Sequence, residues 1–457
     1  MVSSPQSQPA ARSTGIANAA MSILRGRDDR SRTQRDAIVA FSIRVASAGI
    51  LYVSQVALAR WMGDYEYGIY VFVWTWVLLL GGLSHAGIGM SMIRLIPQLR
   101  ETGQLDALRG LLLGGRIFAV GLSTLVALTA IGLLWFFADA MSQHFVLPIF
   151  LALVCLPLFT LTEVQDGIGR GCAWMGVALL PPYVLRPLLL LGTMAAATTF
   201  GFAANAVTAA GAAIVATWLT GLVQLGVIQT LLRRAVPAGP VRFEPRVWAG
   251  TALPLLVIGG CEMVLQNADV LIVSRYLSPA DVGIYFAAAK TMSLIMFVHY
   301  AVGSAVANRF ATLHARGDSE ALAAFVKDAV RWTFWPSLAA AVLILALGKP
   351  LLGLFGPNFQ SGYPVMLILV FGFLVRSAMG PSEFLLNMLG EQKRCAISLV
   401  IAAGTTVVLN FLLVPLFGLL GAAAATATAL ITAALLNYIA ARQKLNLDIA
   451  IWSNLGR

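Results

Sequence analysis

Long apolar stretches recur along almost the whole chain, and they restrict its fold more than any other feature. Of the 457 residues, 59% are hydrophobic and only 11% are charged, whereas roughly 25% are charged in an average soluble protein. A helix that crosses a bilayer needs about 20 mostly apolar residues, and it satisfies its backbone hydrogen bonds within its own segment. The pattern therefore predicts an all-α, polytopic membrane protein.

The apolar runs, read between turn signals such as Gly171, Pro279 and Pro357, predict about twelve transmembrane helices. The predicted spans are 37–59, 68–92, 108–137, 146–168, 174–199, 204–231, 248–274, 283–308, 322–347, 362–389, 395–416 and 419–441. Because this number is even, both chain termini are expected on the same side of the membrane.

Lysine and arginine residues are distributed unevenly between the two sides of these spans. With the N-terminus inside, the inner segments contain 24 of the 31 Lys and Arg residues, and the outer loops contain three, Arg60, Arg275 and Lys349. Short cytoplasmic loops of membrane proteins carry such an excess of positive charge. The bias predicts cytoplasmic N- and C-termini, and it explains the net charge of +11 without a nucleic-acid partner.

The two halves of the chain resemble each other. Residues 60–70, RWMGDYEYGIY, match residues 275–285, RYLSPADVGIY, at an offset of 215, which also carries Arg94 onto Arg309. Six spans per half would make this a parallel repeat, in which transporters place the substrate site between the halves. The predicted domains are a disordered basic tail (1–36), a first six-helix lobe (37–232), a cytoplasmic linker (233–247), a second six-helix lobe (248–442) and a cytoplasmic tail (443–457).

Charged residues inside the spans are candidate functional residues, because a charge at the bilayer centre costs from about 2.5 to more than 10 kcal/mol. Such side chains face the bundle interior or a water-filled cavity. The candidate cations are Arg44, Lys290, Arg186 and Arg376, and the candidate carboxylates are Glu262, Asp269, Glu163 and Glu383.

These charged residues allow two interpretations. The cations, above all Arg44 and Lys290, would bind an anionic group such as a diphosphate, or they would form structural ion pairs. Glu262 and Asp269 are seven residues apart, so they share a helix face. They would couple transport to H⁺ or Na⁺, or they would neutralise the cations. Glu163 and Glu383, which correspond in the repeat at an offset of 220, are the more structural pair.

Catalytic and metal-binding motifs are missing from the sequence. It contains no GxxxxGK[ST] phosphate loop and no HExxH motif, and its four cysteines, Cys155, Cys172, Cys261 and Cys395, form no CxxC pair. We therefore expect no enzyme activity, no cofactor and no metal site.

Three segments of the chain also resemble a known family. Arg60–Tyr70, RLIPQLRETG at 94–103, and SPADVGIY at 278–285 followed by Lys290 are similar to the polysaccharide exporter family. That family belongs to the multidrug/oligosaccharidyl-lipid/polysaccharide exporter superfamily. The resemblance extends over residues 36–442, nearly the whole chain, and implies two six-helix lobes around a central cavity.

The resemblance also implies a function. It implies that the protein flips an undecaprenyl-diphosphate-linked oligosaccharide, such as an O-antigen or exopolysaccharide unit, across the bacterial cytoplasmic (inner) membrane by alternating access. The implied partners are membrane lipid, a glycan polymerase and export machinery, and the protein would work as a monomer. The alternatives are an ion-coupled, multidrug-type exporter and a membrane enzyme of glycan assembly.

Overall fold

The computed structural model describes residues 29–140, 142–445 and 449–454, and these residues form helices without any strand. Within them, nine helical stretches are long and apolar enough to cross a membrane, and a tenth arises if Gln143–Leu153 and Leu156–Gly171, bent by 47°, form one span. The all-α, polytopic fold is therefore confirmed. The first 28 residues of the predicted N-terminal tail lie outside the described residues, and the first helix begins at Asp29.

The helices are numbered here in chain order. They are α1 (Asp29–Ser84), α2 (Ile88–Glu101), α3 (Leu105–Phe136), α4 (Gln143–Leu153), α5 (Leu156–Gly171), α6 (Met175–Leu180), α7 (Arg186–Thr199), α8 (Ala206–Ala235), α9 (Pro245–Tyr276), α10 (Pro279–Ala315), α11 (Ser319–Ala346), α12 (Gly348–Phe355), α13 (Tyr363–Ala378), α14 (Ser382–Met388) and α15 (Gln392–Leu445).

Helices α1 and α15 each contain two spans that reverse at a glycine. A straight helix would separate Gln55 and Tyr67 by ~18 Å, but the Tyr67 hydroxyl donates to Gln55 Oε1 at 2.9 Å. The reversal occurs at Gly63, whose φ is 77° and ψ is 175°. Gly418, with φ 58° and ψ −133°, divides α15 in the same way. These two reversals and the bent pair reconcile the nine stretches with the predicted twelve spans.

Three predicted spans are interrupted. The second, predicted as continuous over 68–92, breaks between α1 and α2, where Ala86 and Gly87 have positive φ. The fourth bends between α4 and α5, and the tenth breaks between α13 and α14. In the fifth span, Pro181 and Pro182 coincide with a π-helical turn, Pro181–Leu185, because proline lacks the N–H that a regular α-helix needs.

The outward faces of the helices are apolar, which reverses the pattern of a soluble protein. On α3, Leu125 is 61% exposed and Trp135 is 78% exposed, and Phe371 on α13 is 63% exposed. Water would penalise such a surface, but lipid chains solvate it. Polar side chains consequently collect in the interior, where the candidate site lies.

Candidate functional site

The main cavity has a volume of about 1100 Å³ and lies in the second half of the chain. Its walls come from α9, α10, α13, α14 and α15, and Val45 of α1 also lines it. Five of the predicted charged residues line it. They are Glu262 and Asp269 of α9, Lys290 of α10, Arg376 of α13 and Glu383 of α14. Helix packing thus brings together residues that the sequence separates by up to 121 positions.

The start of α10 is fixed by a capping box. The Ser278 side chain accepts a hydrogen bond from the Asp281 backbone N–H, and the Asp281 carboxylate accepts from the Ser278 backbone N–H at 3.2 Å. Pro279 occupies the first turn, where a proline costs the helix no hydrogen bond. This cap sets the register that directs Tyr285 and Lys290 toward the other helices of the second half.

Lys290 presents a positive charge to the cavity without an opposite charge in direct contact. Its ammonium lies 4.9 Å from the centre of the Phe286 ring, one helical turn earlier. No described residue forms an ion pair or a hydrogen bond with it. A cation–π contact contributes about 0.5–2 kcal/mol. Because the ring provides no oxygen acceptor, the three ammonium donors are available to a ligand.

Asp269 joins three helices at the end of the cavity nearest the predicted outer side. Its carboxylate accepts hydrogen bonds from the Tyr285 hydroxyl at 2.7 Å, from the Thr426 hydroxyl at 3.1 Å and from the Val270 backbone N–H at 2.8 Å. Asp269 is only 5% exposed. Three donors stabilise a buried carboxylate. Because they belong to α9, α10 and α15, this side chain connects the three helices, and it also lines the cavity.

Arg376 and Glu383 form an ion pair across the interruption between α13 and α14. The Arg376 Nη2 and Glu383 Oε2 atoms are 3.1 Å apart, and Arg376 is the less exposed partner. This contact neutralises the arginine charge that the cavity would otherwise present. Glu262, about two turns before Asp269 on the same face of α9, lines the same cavity and forms no ion pair with any described residue.

Arg186 and Glu163 lie in the first half, away from the main cavity. The Arg186 guanidinium is 4.9 Å from the Phe159 ring centre and 5.7 Å from that of Trp74, and its buried Nη1 atom has no hydrogen-bond partner among the described residues. The structure therefore does not bring Arg186 together with Lys290. The side chain of Arg44 lies outside the described residues.

A smaller cavity of about 140 Å³ lies between the two halves. Glu163 and His85 line it from the first half, and Glu262 lines it from α9. The Gly87 backbone N–H donates to His85 Nδ1 at 3.1 Å, so the other ring nitrogen carries the proton when the ring is neutral. Glu163 and Glu262 thus share one space, although the sequence places them in different lobes.

The repeat motifs pack against each other at the end of the molecule predicted to be outside. A Cβ atom on Gly68 would overlap the Pro279 carbonyl oxygen, and one on Gly283 would come within 2.8 Å of the Asp64 carbonyl oxygen. Asp64 and Pro279 correspond in the repeat, as do the two glycines, so the contact is symmetric. We call these four residues the outer contact.

Side chains around the outer contact reinforce it. The Asn358 amide donates to Asp64 Oδ2 at 2.9 Å, and Arg60 donates to the carbonyl oxygens of Leu354 at 2.6 Å and Gly353 at 3.0 Å. Tyr67 is fully buried against the rings of Phe286, Phe355 and Phe359. These contacts hold the two halves together at the end of the molecule predicted to be outside.

Several cavity residues were not singled out by the sequence analysis. Uncharged polar residues in apolar helices are the signal that could have identified them, because an unpaired amide or hydroxyl is costly in a membrane. Among the described residues, no group of three or more His, Cys, Asp and Glu side chains could hold a metal ion. The missed polar residues are Thr426, Tyr300, Asn387, Gln392 and Asn437.

Comparisons with known proteins agree with this architecture. A family model described as "Polysaccharide biosynthesis protein" matches residues 34–314, and a second model, MatE, matches residues 254–416. A search of curated proteins finds no match to the sequence.

Solved structures with the same fold include transporters and a flippase. An inward-facing multidrug resistance MATE family transporter of the MOP superfamily has a TM-score of 0.70 at 15% identity, covering 92% of this chain and 96% of its own. Lipid II flippase MurJ, inward closed, has a TM-score of 0.68 at 14% identity, covering 92% and 91%. A MOP superfamily transporter from Pyrococcus furiosus has a TM-score of 0.58 at 15% identity, covering 93% and 97%. The TM-scores establish a shared fold with these proteins.

Proposed function

Because the chain belongs to the polysaccharide biosynthesis protein family, whose model matches residues 34–314, we propose that it flips a polyprenyl-diphosphate-linked oligosaccharide across a membrane. The observation that carries this proposal is the ammonium of Lys290, which faces a cavity of about 1100 Å³ without an ion-pair partner among the described residues. A diphosphate would supply the missing negative charge through charge-assisted hydrogen bonds.

Transport by this molecule requires the outer contact to open. Gly68 and Gly283 pack closely on the opposite repeat motif, and we propose that this packing closes the cavity toward the predicted outer side. We propose that the two halves rock about the bilayer midplane, as in other transporters with parallel repeats. Opening the outer contact while the inner ends close would release the glycan on the other side of the membrane, and the proposed membrane is the bacterial cytoplasmic one.

Asp269 is the proposed coupling residue. It shares the cavity with Lys290, and its charge attracts that ammonium although the two groups form no direct ion pair. Neutralisation of Asp269 by a proton or a monovalent cation would leave Lys290 free to hold the diphosphate. Release of the proton or cation would restore the negative charge of Asp269, which would again attract Lys290 and weaken its hold on the diphosphate. The cycle would thus link substrate affinity to an ion gradient.

Export of small organic cations is the second candidate function. Carboxylates outnumber cations three to two among the described residues that line the main cavity, and Glu262 has no ion-pair partner there. An unpaired carboxylate in an apolar cavity favours a cationic ligand. Similarity in fold to a multidrug resistance transporter is compatible with this second function.

Complementation tests the proposal. The protein and its Lys290→Gln variant are expressed in a bacterial strain that lacks its own flippase, and surface polysaccharide is measured at equal membrane abundance. We expect the wild type to restore the polysaccharide and Lys290→Gln to lose at least about 90% of that activity, because one charge-assisted contact to a phosphate contributes about 1.5–3 kcal/mol.

Lys349→Gln is the matched control, since Lys349 also lies over an aromatic ring, 5.7 Å from that of Tyr363, but does not line the cavity. Full activity of Lys290→Gln would contradict the proposal. Ethidium efflux from the same cells tests the second function. If the wild type exports ethidium and Glu262→Gln does not, export of small cations would replace the flippase proposal.

A further inference from the structure

The end of the main cavity nearest the predicted inner side is lined by uncharged polar and aromatic side chains. They come from three different parts of the second half, and they are distinct from the five charged residues that line the cavity. We call this group the amide subsite, and it consists of His299 and Tyr300 of α10, Asn387 of α14, and Gln392 and Asn437 of α15.

Two members of the amide subsite have buried polar atoms without a partner in the described part of the chain. Asn437 is 7% exposed, and its Oδ1 atom accepts no hydrogen bond. His299 is 2% exposed, and its Nδ1 atom is equally unpaired. More than about 90% of buried polar groups in proteins have a hydrogen-bond partner, and leaving one unpaired costs about 1–3 kcal/mol. Both side chains therefore point to a ligand that offers hydrogen bonds.

The ligand chemistry that suits the amide subsite is neutral and rich in hydroxyl groups. The nearby charges of Arg376 and Glu383 pair with each other at 3.1 Å, so they contribute little net charge. Amide and imidazole groups both donate and accept hydrogen bonds, as sugar hydroxyls do. Tyr300 and Phe384, whose rings lie edge to face with centres 6.2 Å apart, provide the apolar surface on which a sugar ring can rest.

The distance from Lys290 gives the position of that sugar in the substrate. Lys290 and His299 are nine residues apart on the same helix, which corresponds to a rise of ~13.5 Å. A diphosphate held by Lys290 would therefore place the sugar attached directly to it nearer Lys290, and a sugar farther along the glycan would reach the amide subsite.

We infer that the amide subsite binds a neutral sugar beyond the first sugar of the glycan, while Lys290 binds the diphosphate. This inference rests on the proposed function, and it adds a second recognition element to it. Asn437 and His299 are the specificity-determining residues in this inference, because their unpaired atoms gain hydrogen-bond partners when a sugar hydroxyl is bound.

Binding measurements on the purified full-length protein test the inference. The probes are undecaprenyl diphosphate and the same lipid carrying a disaccharide that begins with N-acetylglucosamine, both in lipid nanodiscs. We expect the wild type to bind the disaccharide-bearing lipid more tightly. Asn437→Leu and His299→Phe should each weaken binding of that probe about fivefold, since each removes about one hydrogen bond. Neither should change binding of the sugar-free lipid.

Asn410→Leu is the matched control. Asn410 lies on the same helix α15, is fully buried and also has an unpaired Oδ1, but it does not line the cavity. Equal binding of the two probes by wild type would overturn the inference, as would an equal loss for both probes in Asn437→Leu and His299→Phe, or the same selective loss in Asn410→Leu.

Lys290→Gln separates this inference from the proposed function. If the diphosphate lies at Lys290, the variant weakens binding of both probes. If Lys290→Gln binds both probes normally while Asn437→Leu still loses the sugar-dependent part, the diphosphate assignment fails and the amide subsite stands.

Discussion

At the scale of single residues, the second half of the chain concentrates its polar contacts on a few buried side chains. Asp269 is the centre of one such group, because the Tyr285 and Thr426 hydroxyls donate to one of its oxygens and the Val270 N–H donates to the other. The carboxylate therefore has both a structural and a proposed coupling role, and substitutions of different shape can separate them.

Asp269→Asn and Asp269→Leu are expected to differ in stability but not in transport. Asparagine keeps one oxygen that accepts from the Tyr285 and Thr426 hydroxyls, whereas leucine leaves these hydroxyls only each other, 3.2 Å apart, as partners. A buried polar group that loses its partner costs about 1–3 kcal/mol. The melting temperature should therefore fall further for leucine. Both variants lose the charge, so both should lose at least about 90% of polysaccharide export. Normal export by Asp269→Asn would contradict the coupling role.

Arg376 and Glu383 allow a test of how the ion pair acts. Removing only Glu383 leaves a largely buried guanidinium without its partner, which is more costly than removing both charges. We expect Glu383→Gln to lower the melting temperature of the purified protein more than the double variant Arg376→Gln/Glu383→Gln does. If the loss in the double variant equalled the sum of the losses in Arg376→Gln and Glu383→Gln, the two side chains would not be coupled.

At the scale of the helices, glycines with positive φ determine where the chain turns back. Gly418 has φ 58° and ψ −133°, a conformation that other residues adopt only with strain, and it divides α15 into two spans. Gly404, on the same helix, has regular helical geometry and open space around its Cα. The two positions should respond in opposite ways to the same substitution.

Gly418→Ala is expected to destabilise the protein by about 1–3 kcal/mol because its backbone conformation is strained for alanine. Gly404→Ala is expected to have no cost, or to stabilise by about 0.5–1 kcal/mol, because alanine is the better helix former. Thermal melting in detergent measures both. A larger loss for Gly404→Ala than for Gly418→Ala would refute this account of the reversal.

At the scale of the whole molecule, the outer contact is the proposed gate between the main cavity and the predicted outer side. Gly68 and Gly283 are equivalent in the repeat, and each leaves room for a backbone carbonyl of the other half. An added methyl group cannot be accommodated there, since the neighbouring atoms belong to the backbone. It should therefore favour the conformation in which the halves separate at this end.

Gly68→Ala and Gly283→Ala are expected to open the cavity to the predicted outer side. The measurement uses a cysteine at Ser293, which lines the main cavity, in a chain without other cysteines. Labelling by a membrane-impermeant thiol reagent added outside should increase severalfold in both variants. Gly211→Ala, where nothing lies within 4 Å of the added methyl group, is the control. Unchanged labelling in Gly68→Ala and Gly283→Ala would rule out the outer contact as a gate.

The sequence alone determined the fold class, because stretches of about 20 apolar residues have few stable structures other than membrane-spanning helices. It also identified the repeat motifs and the intramembrane charges, whose desolvation cost marks them in any apolar span. The break at Ala86–Gly87 was missed, since a short kink leaves the hydrophobic pattern of a span unchanged.

Only the tertiary structure decided which of these charges share a cavity. Lys290, Asp269, Glu262, Arg376 and Glu383 line the main cavity, whereas Arg186 lies against Phe159 in the other half. Periodicity gives the face that a residue occupies on its own helix, but contacts such as Tyr285 with Asp269 and Thr426 depend on how three helices pack. The amide subsite depends on the same packing, because its residues come from helices far apart in the chain.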